Sequence, residues 1–122
     1  MKLSAHFDTE EFACSCGCGF GTRAGDVNPV LLGGLEMLRA LCGGRPVMVT
    51  SGCRCAEHNA AIGGARNSEH LRGNAADVAI PGMPACDVAD IAAELVDVFE
   101  HGGIGRHVTF THFDVRGRAA RW

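Results

Sequence analysis

No run of this sequence approaches the roughly eighteen consecutive apolar residues of a membrane-spanning helix, so a helical membrane protein is not expected. Basic residues are not in excess either. Eleven Lys plus Arg stand against fourteen Asp plus Glu, a formal charge of −3, and nothing supplies the basic face that a nucleic-acid binder needs. Internal repeats and low-complexity segments are absent. Residues Met1 to His6 lack the apolar stretch of a secretory signal, which leads to the expectation of a chain that stays in the cytoplasm until it is released or exported by another route.

What is present suits one packed domain spanning residues 1–122. With 122 residues there is room for one modest core, and 47% apolar residues are enough to fill it. Seventeen glycines, spread along the chain, imply tight turns and close backbone approaches. Residues 1–28 are polar and rich in Gly and Cys, and read as an arm wrapped on a core. Asn28-Pro29 then opens a helix, Asn as N-cap and Pro in the first turn. Val30, Leu31, Leu35, Leu38 and Leu41 recur at helical spacing until Gly43-Gly44.

Pro46 to Ser51 reads as a buried strand, Ala56 to Ile62 as a short helix ended by Gly63-Gly64, and Ala75 to Ile80 as a second strand. A helix from about Asp87 to Glu100 follows, with Val88, Ile91, Leu95, Val98 and Phe99 on its inner face and Gly102-Gly103 as its stop. Val108 to Val115 forms a third strand. The order predicts an α+β fold, mainly an antiparallel sheet with helices packed on it.

The most informative segment is Ser68-Glu69-His70-Leu71-Arg72-Gly73-Asn74-Ala75-Ala76-Asp77. His70 and Asp77 are too irregularly spaced for one helix face. They fit a loop that delivers His70, turns at Gly73 and enters a strand carrying Asp77. A later strand, Thr111 to Arg116, places His112, Asp114 and Arg116 on one face and sends Phe113 and Val115 into the core. Two imidazoles and one carboxylate make a three-ligand zinc site with an open fourth position, as in catalytic zinc. Such a metal acidifies water and polarises a scissile carbonyl, while a nearby group must carry the proton. Taken singly each residue has a blander role: a surface or core histidine, a turn acid. The joint pattern S-x-H-x-x-G-x-A-x-D followed by H-x-D shifts the balance.

These motifs, with Thr50-Ser51-Gly52-Cys53-Arg54 and Gly102-Gly103-Ile104-Gly105, resemble the zinc D-alanyl-D-alanine carboxypeptidases and dipeptidases and the related phage L-alanyl-D-glutamate endolysins, whose fold and metal site the Hedgehog signalling domain shares. The resemblance runs from His6-Phe7 through Trp122. It implies a zinc metallopeptidase acting next to D-residues in peptidoglycan stem peptide, with His70, Asp77 and His112 as ligands. It also implies that Arg54 steadies the carbonyl oxygen as charge grows on it. The blander alternative for Arg54 is a structural pairing with a carboxylate. Ser68 and Arg116 are expected to contact substrate, and Ser68 alternatively caps the turn.

Many relatives carry an acid three residues before the last histidine, and here that position is Thr109. Asp114 is therefore the expected general base, with orientation of a histidine ligand as its alternative role and His107 as the other candidate for proton handling. The missing acid also favours the competing reading, a non-catalytic zinc-binding recognition module of the same fold. A monomer is expected.

Seven cysteines remain. Cys14, Cys16 and Cys18 form one cluster, Cys53 and Cys55 another. A staple between the clusters is expected, either disulfides or a second, structural metal, because a Gly-rich arm has little core of its own. A third reading makes this the only metal site. Cys42 and Cys86 are expected to be small buried apolar residues.

Overall fold

The computed structural model describes residues 1–99 and 102–122, with the backbone alone for 97–99. A five-stranded sheet runs in the order β1-β2-β4-β3-β5, from β1 (Met48–Ser51), β2 (Ala75–Ala79), β3 (Gly103–Arg106), β4 (Thr111–Asp114) and β5 (Ala120–Arg121). Every pairing is antiparallel except β3 with β5. The helices are α1 (Thr9–Phe12), α2 (Pro29–Leu41), α3 (Ala56–Ala61) and α4 (Ala85–Phe99). The expected α+β class is what the chain adopts.

Helix α2 starts where its sequence says. The Asn28 side chain accepts the Val30 N–H at 2.9 Å, and Pro29 occupies the first turn. Its buried stripe is Leu31, Leu32, Leu35 and Leu38; Val30 and Leu41, expected on that stripe, face solvent. Helix α4 buries Val88, Ala89, Ala92, Leu95 and Val96, while Ile91 is half-buried. Val98 and Phe99, expected on the inner face, and Glu100, the expected helix end, lie outside the described side chains and residues.

Both helices cover one face of the sheet, where Ala76, Val78, Ile104 and Phe113 point. Strand alternation sends Asp77, His112 and Asp114 to the opposite face. The expected third strand, Val108 to Val115, is instead a hairpin of β3 and β4. Gly103 opens a strand, and Val108 sits exposed in the hairpin turn. The first strand is also shorter than expected, and Met48 is exposed.

The arm contributes to the core: Phe7 and Phe12 are fully buried and pack ring to ring at 6.2 Å. Its outer end is clamped to α2 by Glu36, which accepts from the Ser4 hydroxyl at 2.7 Å and the His6 N–H at 2.8 Å.

Candidate metal centre

His70 leaves a 3₁₀ turn over Glu69–Arg72 that Ser68 caps, its hydroxyl accepting the His70 N–H at 3.3 Å. Gly73 ends the turn at φ 69, a conformation that favours glycine, and a Cβ there would run into the Asp26 carbonyl. The chain can therefore drop directly into β2, where Asp77 stands opposite His112 of β4 in register. His70, Asp77 and His112 are all buried, and one ligand atom from each lies within 4.8 Å of the others.

The hydrogen bonds of the two rings decide which nitrogens are free. His70 Nδ1–H donates to the Gly52 carbonyl at 2.6 Å, and His112 Nε2–H donates to Asp114 Oδ2 at 2.7 Å. The remaining nitrogens, His70 Nε2 and His112 Nδ1, present lone pairs to the same atom, Asp77 Oδ1, at 3.2 and 3.1 Å. Three electron-pair donors converge on one point, an arrangement that repels itself unless a cation sits among them. Where protons take the cation's place, hydrogen bonds from His112 and His70 outweigh burial, which alone would raise the Asp77 carboxyl, and hold Asp77 well below the ordinary carboxylate range. Burial alone would lower His112, but hydrogen bonds to Asp114 and Asp77 outweigh it and raise the imidazole, so metal and proton compete for the same nitrogen. Two nitrogens and one oxygen suit zinc, and the outer hydrogen bonds that the imidazoles donate to the Gly52 carbonyl and the Asp114 carboxylate set the tautomers that zinc requires.

The centre opens into a cleft of about 970 Å³. Arg54 forms part of its wall: Nη2 donates to Asp77 Oδ2 at 3.1 Å, Nε to the Ser51 hydroxyl at 3.1 Å and Nη1 to Asn59 Oδ1 at 3.3 Å. Three of its five N–H groups are thus used, and two remain for a ligand. Ser68, Arg116 and His107 also line the cleft, and the His107 ring stacks on Phe110 at 4.2 Å.

A family model, Peptidase M15, matches residues 5–114, spanning every element that builds this centre. The chain belongs to the peptidase M15 family. No curated protein matches it significantly.

In this M15 peptidase Asp114 does not reach the cleft. It is fully buried behind His112, and both its oxygens are occupied. Oδ2 accepts from His112 Nε2 and, at 2.7 Å, from Arg116 Nη2; Oδ1 accepts the N–H groups of Gly103 and Arg116. Asp114 shares a strand face with His112 without sharing its access to the cleft, because His112 turns its Nδ1 toward Asp77 and its Nε2 toward Asp114, so the imidazole stands between the two carboxylates. Thr109 is exposed in the hairpin turn.

Several residues support the site in ways their sequence positions do not specify. Trp122 tilts over the His112 ring at 4.8 Å and lies beneath the Arg116 guanidinium at 4.8 Å. Gly103 leaves room for Asp114, whose carboxylate a Cβ would overlap. Asn59 is buried and fixes Arg54. The cysteines divide differently from expectation. Cys14, Cys16, Cys18 and Cys55 meet, whereas Cys53 lies apart in the core with its thiol toward the Asp26 carbonyl. Cys42 is buried as expected, but Cys86 is exposed, because α4 turns that position outward.

Proposed function

We propose that this M15 chain is a zinc peptidase that cleaves a bond next to a D-residue in the stem peptide of bacterial cell wall. The observation that carries the reading is the convergence of His70 Nε2, His112 Nδ1 and Asp77 Oδ1 at the floor of an open cleft. Zinc held there by His70, Asp77 and His112 would supply the Lewis acidity to make water nucleophilic near neutral pH and to polarise the scissile carbonyl.

The protein's own groups do the rest. Arg54 orients Asp77 and offers its two remaining N–H groups to the carbonyl oxygen as negative charge grows on it. Asp114 holds His112 in the tautomer and orientation that ligation needs. His107, at the cleft wall and hydrogen-bonded to none of the described residues, accepts and returns the proton. Of the acids in the cleft, Asp77 is a ligand and Glu69 is held by Arg72 and Asn74. Although Arg72 pairs with Glu69 and Arg116 with Asp114, the arginines lining the cleft (Arg54, Arg72, Arg116 and Arg118) outnumber these acids and Asp77, a local excess of positive charge on a chain of net charge −3 that favours a peptide bearing free carboxylates. Ser68 and Arg116, which line the same cleft, contact that peptide in this reading.

The test is hydrolysis of purified cell-wall sacculi and of a short D-Ala-D-Ala peptide, with new ends identified by mass spectrometry. Cleavage that chelator removes and zinc restores is expected, and His70→Ala should lose both metal and activity. Full zinc binding with no cleavage of any cell-wall peptide would instead favour the recognition module.

A further inference from the structure

Four cysteines outside the catalytic centre are brought together by the arm and the loop before α3. Cys14, Cys16 and Cys18 come from the turn after α1, and Cys55 is the N-cap residue of α3. The Sγ–Sγ separations are 3.5 Å for Cys14–Cys16, 3.6 Å for Cys16–Cys55 and 3.9 Å for Cys14–Cys55. Cys18 joins them, all four sulfurs lying within 4.8 Å of one another. A zinc ion at about 2.3 Å from four thiolates requires a tetrahedron with edges of about 3.8 Å, close to these separations. A disulfide requires about 2.0 Å between two sulfurs and gives no reason for four to assemble.

A second observation concerns the charge these sulfurs are arranged to carry. Three of them accept a backbone N–H: Cys14 from Cys55 at 3.5 Å, Cys18 from Phe20 at 3.5 Å and Cys55 from His58 at 3.3 Å. Backbone donors aimed at sulfur stabilise thiolates, and they form the outer shell that metal-bound cysteines need. Gly17, between Cys16 and Cys18, and Gly19, just after Cys18, permit the tight C-x-C-x-C turn, at φ 81 and φ 95.

We propose that Cys14, Cys16, Cys18 and Cys55 bind a structural zinc ion, distinct from the catalytic one, that ties the N-terminal arm to the segment carrying Arg54. The site lies next to the catalytic wall in sequence, since Cys55 follows Arg54 directly. It also anchors a Gly-rich turn with two exposed cysteines, because metal ligation replaces the core that this segment lacks.

The test is metal content by mass spectrometry on protein purified without added chelator, together with thiol titration. Wild type should carry two zinc ions per chain. His70→Ala should keep one, the Cys16→Ser/Cys18→Ser double variant should keep the other, and Cys53→Ser should keep both. If the double variant fails to fold, wild type still decides the matter. After denaturation with chelator and no reductant, all seven cysteines should titrate as thiols, and cobalt substituted for zinc should show intense thiolate-to-metal charge-transfer absorption in the near ultraviolet. Titration of only three thiols, as two disulfides would give, overturns the proposal. So does a wild type with a single zinc that His70→Ala removes completely. Because the two sites are separated by variant, failure at the cysteines leaves the catalytic reading standing, and the converse holds.

Discussion

Replacing Asp114 by asparagine separates the two roles that a carboxylate beside a metal-binding histidine can play. The side chain keeps its shape, but no orientation of the amide satisfies its neighbours. With the amide oxygen toward His112 Nε2–H, the NH2 group faces the N–H donors of Gly103 and Arg116. Turned around, it meets His112 Nε2–H, unless the imidazole moves its proton to Nδ1, the atom that faces Asp77. A buried donor left without an acceptor costs about 1–3 kcal/mol. Breaking a buried charged pair costs about 3–5 kcal/mol, and since Arg116 reaches the surface the lower end applies, about 3 kcal/mol of folding stability. The share that falls on the metal should weaken zinc affinity by about 10–100-fold, the usual effect of losing such a partner. Zinc affinity is measured by competition with a chromophoric chelator, stability by denaturant titration of metal-free protein, and turnover at saturating zinc. Weakened affinity with turnover largely kept is expected. Unchanged affinity with turnover reduced by roughly 10²–10⁴-fold, the contribution of a positioned acid–base group, would refute the reasoning and return the base to Asp114.

His107→Gln should lower turnover by roughly 10²–10⁴-fold while leaving a full equivalent of zinc at the catalytic centre; a variant as active as wild type rules out His107 as the proton carrier. Gly103→Ala forces a methyl into the Asp114 carboxylate. It should cost about 1–3 kcal/mol in denaturant unfolding and weaken zinc binding in parallel, and a neutral effect on both would mean Asp114 can move without consequence. Glu36 holds the arm through Ser4 and His6; burial alone would raise its carboxyl, but these hydrogen bonds outweigh it and lower it below its ordinary 4.5. A depressed carboxyl stabilises the fold at pH above its unfolded-state value, and that contribution disappears as pH falls through the folded one. Glu36→Gln should therefore cost about 1–2 kcal/mol at neutral pH, with the gap to wild type closing below pH 4.5. A gap that is constant with pH would sever the clamp from its charge.

Much of the site was legible along the chain because its signals are local. The Ser68 cap, the turn at Gly73 and the entry into β2 at Ala75 lie within ten residues, and the backbone there is dictated by residue type. Likewise the period-two alternation of β4 separates His112 from Phe113 whatever the rest of the fold does. The α+β class and the helix start at Asn28-Pro29 follow from the same short-range rules. Helix faces were less legible: Val30 and Leu41 fit the apolar period, but which stripe is buried depends on where α4 and the sheet lie.

Tertiary structure alone decided the matters that depend on long-range approach. Strand alternation states that Asp114 shares a face with His112, yet only the ring's orientation between Asp77 and Asp114 shows that the second carboxylate is sealed away from the cleft. Trp122 comes to His112 because β5 pairs with β3, a parallel contact between strands that nothing local specifies. The cysteines are the clearest case. Cys53 and Cys55, two residues apart, would share a side of a regular strand, yet one enters the core and the other joins Cys14, Cys16 and Cys18, because the chain leaves β1 at Ser51 and turns into α3 with Cys55 as its N-cap, and only the docked arm determines what meets each thiol.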